Sequence, residues 1–143
     1  MEAWNKKGWF SPALTDFDDL PKLASTEDKT APVKLRVPSF MDANCAACHR
    51  PGGSSRGVFD ARFSTPLREQ GLINGILAAG DLGIADAKVV VLGHPDKSIL
   101  LQRVSRTDFY RMPPVAFSDD KSPLVPLLEE WIKSLPESEQ ANR

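Results

Sequence analysis

Proline and glycine limit what this chain can fold into. Twelve prolines and nine glycines punctuate 143 residues. Helices must therefore be short, and the connections between them long and shaped. Loops of that length in a compact domain need something to wrap around, yet the apolar side chains alone make a thin core. The composition, 41% hydrophobic and 26% charged, is that of an ordinary globular protein. A formal net charge of −1 offers nothing to nucleic acid or to an anionic membrane surface.

No apolar run approaches the roughly 20 residues of a transmembrane helix. The start, MEAWNKKGWF, also lacks the apolar stretch of a secretory signal. Either a signal has been removed or the chain is part of a longer one. Residues 1–37 show no sustained period. "TDFDDLPKLASTEDKTAP" is acidic and proline-broken, which reads as an arm or linker packed on the body through Trp4, Trp9 and Phe10.

Three helices are expected. The first spans 39–48, with Ser39 as N-cap after Pro38. The second follows "GHPDKS", begins at Pro95 or Ser98 and carries Ile99, Leu100, Gln102, Arg103 and Val104 over two turns. The third is the clearest. After Ser122 and Pro123, residues Leu124, Leu127, Leu128, Trp131, Ile132 and Leu135 recur on one helical face, and Pro136 ends it. "REQGLINGILAAGDLG" (68–83) suits a helical turn or two, and "KVVVLG" (88–93) a short extended piece without a partner strand. The fold class is all-α with long irregular loops.

The only two cysteines, Cys45 and Cys48, stand in "NCAACHRPGG" with His49 directly after them. A zinc site would want a second cysteine pair or two further histidines at fixed spacing. The chain has only His94 besides, far along the sequence. A thiol–disulfide exchanger would want a strand leading into the motif, and here a helix leads in. The remaining chemistry is covalent attachment of one haem c, for which Cys-x-x-Cys-His is the sequence rule. Positions three and four apart on a helix or its last turn share a side, so both thiols and the imidazole can face one pocket. A buried porphyrin would also provide the apolar body that the loops need. Gly52 and Gly53 would then let backbone pass close to the ring.

An electron carrier fills the sixth iron position as well. Met41 lies one turn before Cys45 on the attaching helix and reads as core. Met112, in "RMPP", sits in a loop stiffened by Pro113 and Pro114. It is the expected second ligand, with His94 the competing donor. A thioether here would raise the reduction potential. Among Arg56, Arg62, Arg103, Arg106 and Arg111, the expected partners of the haem carboxylates are Arg62 and Arg111, and a backbone carbonyl within 51–57 is the expected acceptor for the His49 ring N–H.

"CAACH", the "MPP" methionine loop and a terminal amphipathic helix bearing Trp131 together resemble class I c-type cytochrome domains. "FMDANCAACHRPGG", "DARFSTPL" and "LGHPDKSILLQRV" resemble, more narrowly, the cytochrome c domains at the C-terminal ends of larger secreted bacterial oxidoreductases. The resemblance covers roughly residues 30–136. It implies an arm or linker over 1–30, a monohaem cytochrome c-like domain over 31–136 and a tail over 137–143. It implies Cys45 and Cys48 as thioether cysteines, His49 as proximal and Met112 as distal iron ligand. The 52–93 stretch is longer than compact members carry.

The function implied is electron transfer rather than catalysis, to or from a redox partner protein or a fused dehydrogenase domain. The location implied is periplasmic or extracellular. A haem enzyme or gas sensor with an open or displaceable sixth position is the alternative.

Overall fold

The computed structural model describes residues 1–17, 20–114 and 122–136. The 137–143 tail lies outside the described residues. Regular structure is entirely helical, with no strand among the described residues: α1 Glu2–Lys6, α2 Val33–Asn44, α3 Ile99–Val104 and α4 Leu124–Ser134, with single 3-10 turns at Leu67–Glu69 and Pro95–Lys97.

α2 begins six residues before the expected start and runs through Pro38. Proline removes the bond its own nitrogen would donate to the carbonyl four residues back and crowds that carbonyl. That carbonyl belongs to exposed Lys34, where water can satisfy it. Ser39 is consequently not a cap. It is buried at 2% exposure, and its hydroxyl accepts the Ala24 N–H at 2.9 Å, fastening the preceding arm to the helix.

α3 forms where expected. Ser98 sits at its N-terminus, fully buried, with its hydroxyl donating to the His94 carbonyl at 2.8 Å and accepting the Val91 N–H at 2.9 Å. α4 starts one residue into the expected span and ends before Pro136, and the Ser122 hydroxyl accepts the Leu124 N–H at 3.3 Å, the capping bond expected of it.

α4 packs against both α2 and α3. Leu128 and Ile132 of α4 and Val37 of α2 are wholly buried, and Trp131, Leu124 and Met41 nearly so. Met41 is core, as its place on α2 suggested. The 88–90 segment is woven between 72–75 and 97–100: Asn74 N–H donates to the Val90 carbonyl at 2.8 Å, and Leu100 N–H to that of Val89 at 3.0 Å. Two isolated bridges result, and no sheet among the described residues.

In the arm, Trp4 and Trp9 are 51% and 64% exposed and pack on each other at 5.9 Å, while Phe10 is half-buried. Asn5 holds the turn together by exchanging hydrogen bonds with the backbone of Leu14. No described helix is long and apolar enough to cross a membrane.

Candidate functional site

α2 ends at Asn44, and the chain tightens into a turn on which the Cys48 and His49 N–H groups both donate to the Cys45 carbonyl, at 3.1 and 2.8 Å. Cys45, Cys48 and His49 thereby line one cavity of about 330 Å³. Its other walls come from the 54–59 and 76–80 loops, from Leu100 and Arg103 of α3, from Met112–Pro114 and from Leu124. The lining is mostly apolar, and among the described lining residues none is a carboxylate.

Cys45 is half-buried, and burial first, then the neighbouring Cys48, pushes its thiol up to about 11. It is therefore a neutral thiol near neutral pH. Cys48 is exposed. Burial lowers the His49 pKa, keeping the imidazole neutral and able to donate a nitrogen lone pair.

The imidazole is gripped on two sides. Phe59 stacks on it with ring centroids 4.1 Å apart. Gly57 closes on its edge, where a Cβ would stand 3.0 Å from both Nδ1 and Cε1. The His49 carbonyl accepts the Ala61 N–H at 2.8 Å. No carbonyl of the 51–57 loop takes up a ring nitrogen, contrary to expectation. Nδ1 is buried without a hydrogen-bond partner, and Ser55 Oγ lies 3.4 Å from Nε2. The loop brings glycine and a hydroxyl past the ring, and its carbonyls go elsewhere: that of Arg50 accepts the Gly53 N–H at 2.8 Å.

Gly52 and Gly53 shape this loop from behind and do not line the cavity. Gly52 has φ +73°, and a Cβ on Gly53 would come within 2.2 Å of the Cys48 carbonyl oxygen. The glycine beside the imidazole is Gly57.

Arg62 is absent from the cavity wall. Its guanidinium closes on the Asp60 carboxylate, with Nε at 3.0 Å and Nη2 at 2.6 Å. Asp60 is 7% exposed and also accepts from Thr65 Oγ1 at 2.8 Å. The Arg62 hydrogen bonds hold its pKa well below the usual carboxylate range. Gln70 completes the knot by donating to the Arg62 and Thr65 carbonyls, and Asp42 of α2 accepts the Phe63 N–H at 2.8 Å. This knot ties the 60–70 segment to α2 and sets Phe59 over His49.

Arg111 is half-buried, with Nε 3.4 Å from the Pro113 carbonyl, and it too is not on the wall. The arginines that do line the cavity are Arg56 and Arg103. Met112 lines it; His94 does not, its side chain being 59% exposed beside Asp96.

Among the described residues no three His, Cys, Asp or Glu side chains cluster for a metal ion. A porphyrin-held iron needs only two axial donors from protein. The residues present suit a haem: two thiols, an imidazole with an orphaned ring nitrogen and a thioether share one apolar cavity. Comparison of the chain with protein-family models, with curated proteins and with solved structures finds no match.

Proposed function

We propose that this chain is a cytochrome c-like electron-transfer protein or module, carrying one electron on a single covalently attached haem c. The observation that supports this reading best is the convergence of Cys45, Cys48, His49 and Met112 on one apolar cavity. When bound, the haem supplies a ferric/ferrous couple.

The chain's own residues do the rest. Cys45 and Cys48 provide the two thioether links. His49, kept neutral by burial and fixed in plane by Phe59, is the proximal donor. Met112 is the distal donor, held in a loop that two prolines stiffen, and its thioether favours the reduced state and a high potential. Leu77, Val89, Leu100 and Val104 keep water from the cavity and lower its dielectric. Arg56, rather than Arg62 and Arg111, stands where a carboxylate at the cavity wall would be met.

With His49 and Met112 both holding the iron, no substrate would need to reach it, so the partner would be a second redox protein or a fused dehydrogenase domain, outside the cytoplasm where haem c is attached. The ferric absorption spectrum tests the ligand pair. A far-red sulfur-to-iron band is expected in the wild type and not in Met112→Ala; a wild type without that band contradicts His/Met ligation.

A further inference from the structure

Arg103 links three chain segments around the cavity. From α3, its Nη1 donates to the Tyr110 carbonyl at 3.2 Å and its Nη2 to the Ala79 carbonyl at 2.7 Å. Its own carbonyl accepts the Met112 N–H at 3.0 Å. Met112 is thus hung from the Arg103 peptide, while the Arg103 side chain grips the same loop two residues earlier and pins it to the opposite wall.

The loop between carries its own hydrogen bonds. Asp108 accepts a two-point ion pair from Arg106, and its carboxylate also accepts the Tyr110 N–H at 3.0 Å. The Asp108 carbonyl accepts the Arg111 N–H at 3.0 Å.

A thioether is an uncharged, weak ligand. Its occupancy of a sixth position depends on how firmly the backbone presents it. We propose that Arg103 is the positioning residue for Met112, clamping the 110–112 and 76–80 walls together so that the thioether stays over the cavity. This rests on the haem reading above. A planar guanidinium can serve two carbonyls at once in a fixed fork, whereas a lysine ammonium is a point donor that does not reproduce that fork.

The test measures carbon monoxide binding to the reduced holoprotein in wild type, Arg103→Gln, Arg103→Lys and Gln102→Ala. The last is a neighbour on α3 whose side chain donates to the Pro95 carbonyl at 3.0 Å, at the entry to that helix. Arg103→Gln is expected to bind carbon monoxide about tenfold faster or more, from loss of a charged hydrogen bond. It should also weaken the far-red sulfur-to-iron band and speed amide exchange at Tyr110 and Met112. Arg103→Lys should fall between it and wild type, and Gln102→Ala should match wild type.

If Arg103→Gln does not fold, Arg103→Lys decides alone: faster binding than wild type supports the clamp, and an unchanged rate overturns it. Equal acceleration in Gln102→Ala would also overturn it, by showing a general loosening of α3. A haem-bearing wild type with unaltered Arg103 variants sinks this inference only. A wild type without covalent haem overturns the underlying reading and this inference together.

Discussion

The His49 imidazole lies flat against the Phe59 ring, the planes inclined by 16° and the centroids 4.1 Å apart. Phe59 is 8% exposed and belongs to the main core cluster, so one residue couples the core to the cavity. Removing the ring should cost both packing and orientation. Phe59→Ala is expected to lose about 3–5 kcal/mol of stability. Phe59→Leu keeps apolar volume and forfeits mainly the stack, about 0.5–1.5 kcal/mol. Denaturant unfolding of the two variants measures the difference.

Gly53 permits the sharp return after His49. A Cβ there meets the Cys48 carbonyl oxygen at 2.2 Å, and backbone on both sides leaves little room to give. Gly53→Ala should therefore destabilise by about 1–3 kcal/mol or more. Gly80→Ala gives a comparison: it meets no atom within 4 Å but has φ +82°, so it should show backbone strain alone. Thermal unfolding of the pair separates the collision from the strain.

The Asp60–Arg62 pair predicts an acid limb in stability. The folded-state carboxyl is held well below its usual value, chiefly by the Arg62 hydrogen bonds. At low pH the unfolded chain therefore binds the proton that the folded chain refuses. The contribution is complete above about pH 5 and is lost progressively as pH falls through the ordinary carboxylate value and below. Asp60→Asn should flatten that limb in a pH series of unfolding midpoints. An unchanged slope would contradict the assignment.

Cavity size predicts a dependence on the attached group. An apolar space of about 330 Å³ bordered by core residues forgoes packing when nothing fills it. Cys45→Ala combined with Cys48→Ala, lacking covalent haem, is expected to show no cooperative thermal transition. A sharp transition in that protein would contradict this.

Much of the helical frame was legible in the sequence. The spacing of Leu124, Leu127, Leu128, Trp131 and Ile132 marks the buried face of α4, and "GHPDKS" marks the entry to α3. The start of α2 was not, because a proline in its interior reads as a helix boundary, whereas Pro38 lies within α2, four residues after exposed Lys34.

Around the cavity, the motif located Cys45, Cys48 and His49, but not what surrounds the imidazole. Nothing in the pattern separates Gly57, which meets the ring, from Gly52 and Gly53, which do not. Arg62 was assigned to the haem carboxylates, yet Asp60 captures it. Residues i and i+2 on extended chain share a side, and that spacing in "DAR" was the available signal. Arg103 is expected from the sequence as part of α3 and as one of several candidate partners of the haem carboxylates, but its partners at Ala79 and Tyr110 are backbone carbonyls, which no sequence pattern displays.

The most direct measurement is a pyridine haemochrome assay on protein purified from a host that attaches haem c, with the haem challenged by acidic acetone. One haem per chain is expected, resistant to extraction, with the spectrum of a porphyrin whose two vinyl groups are saturated by sulfur. A colourless protein, or haem that leaves with the solvent, would contradict it.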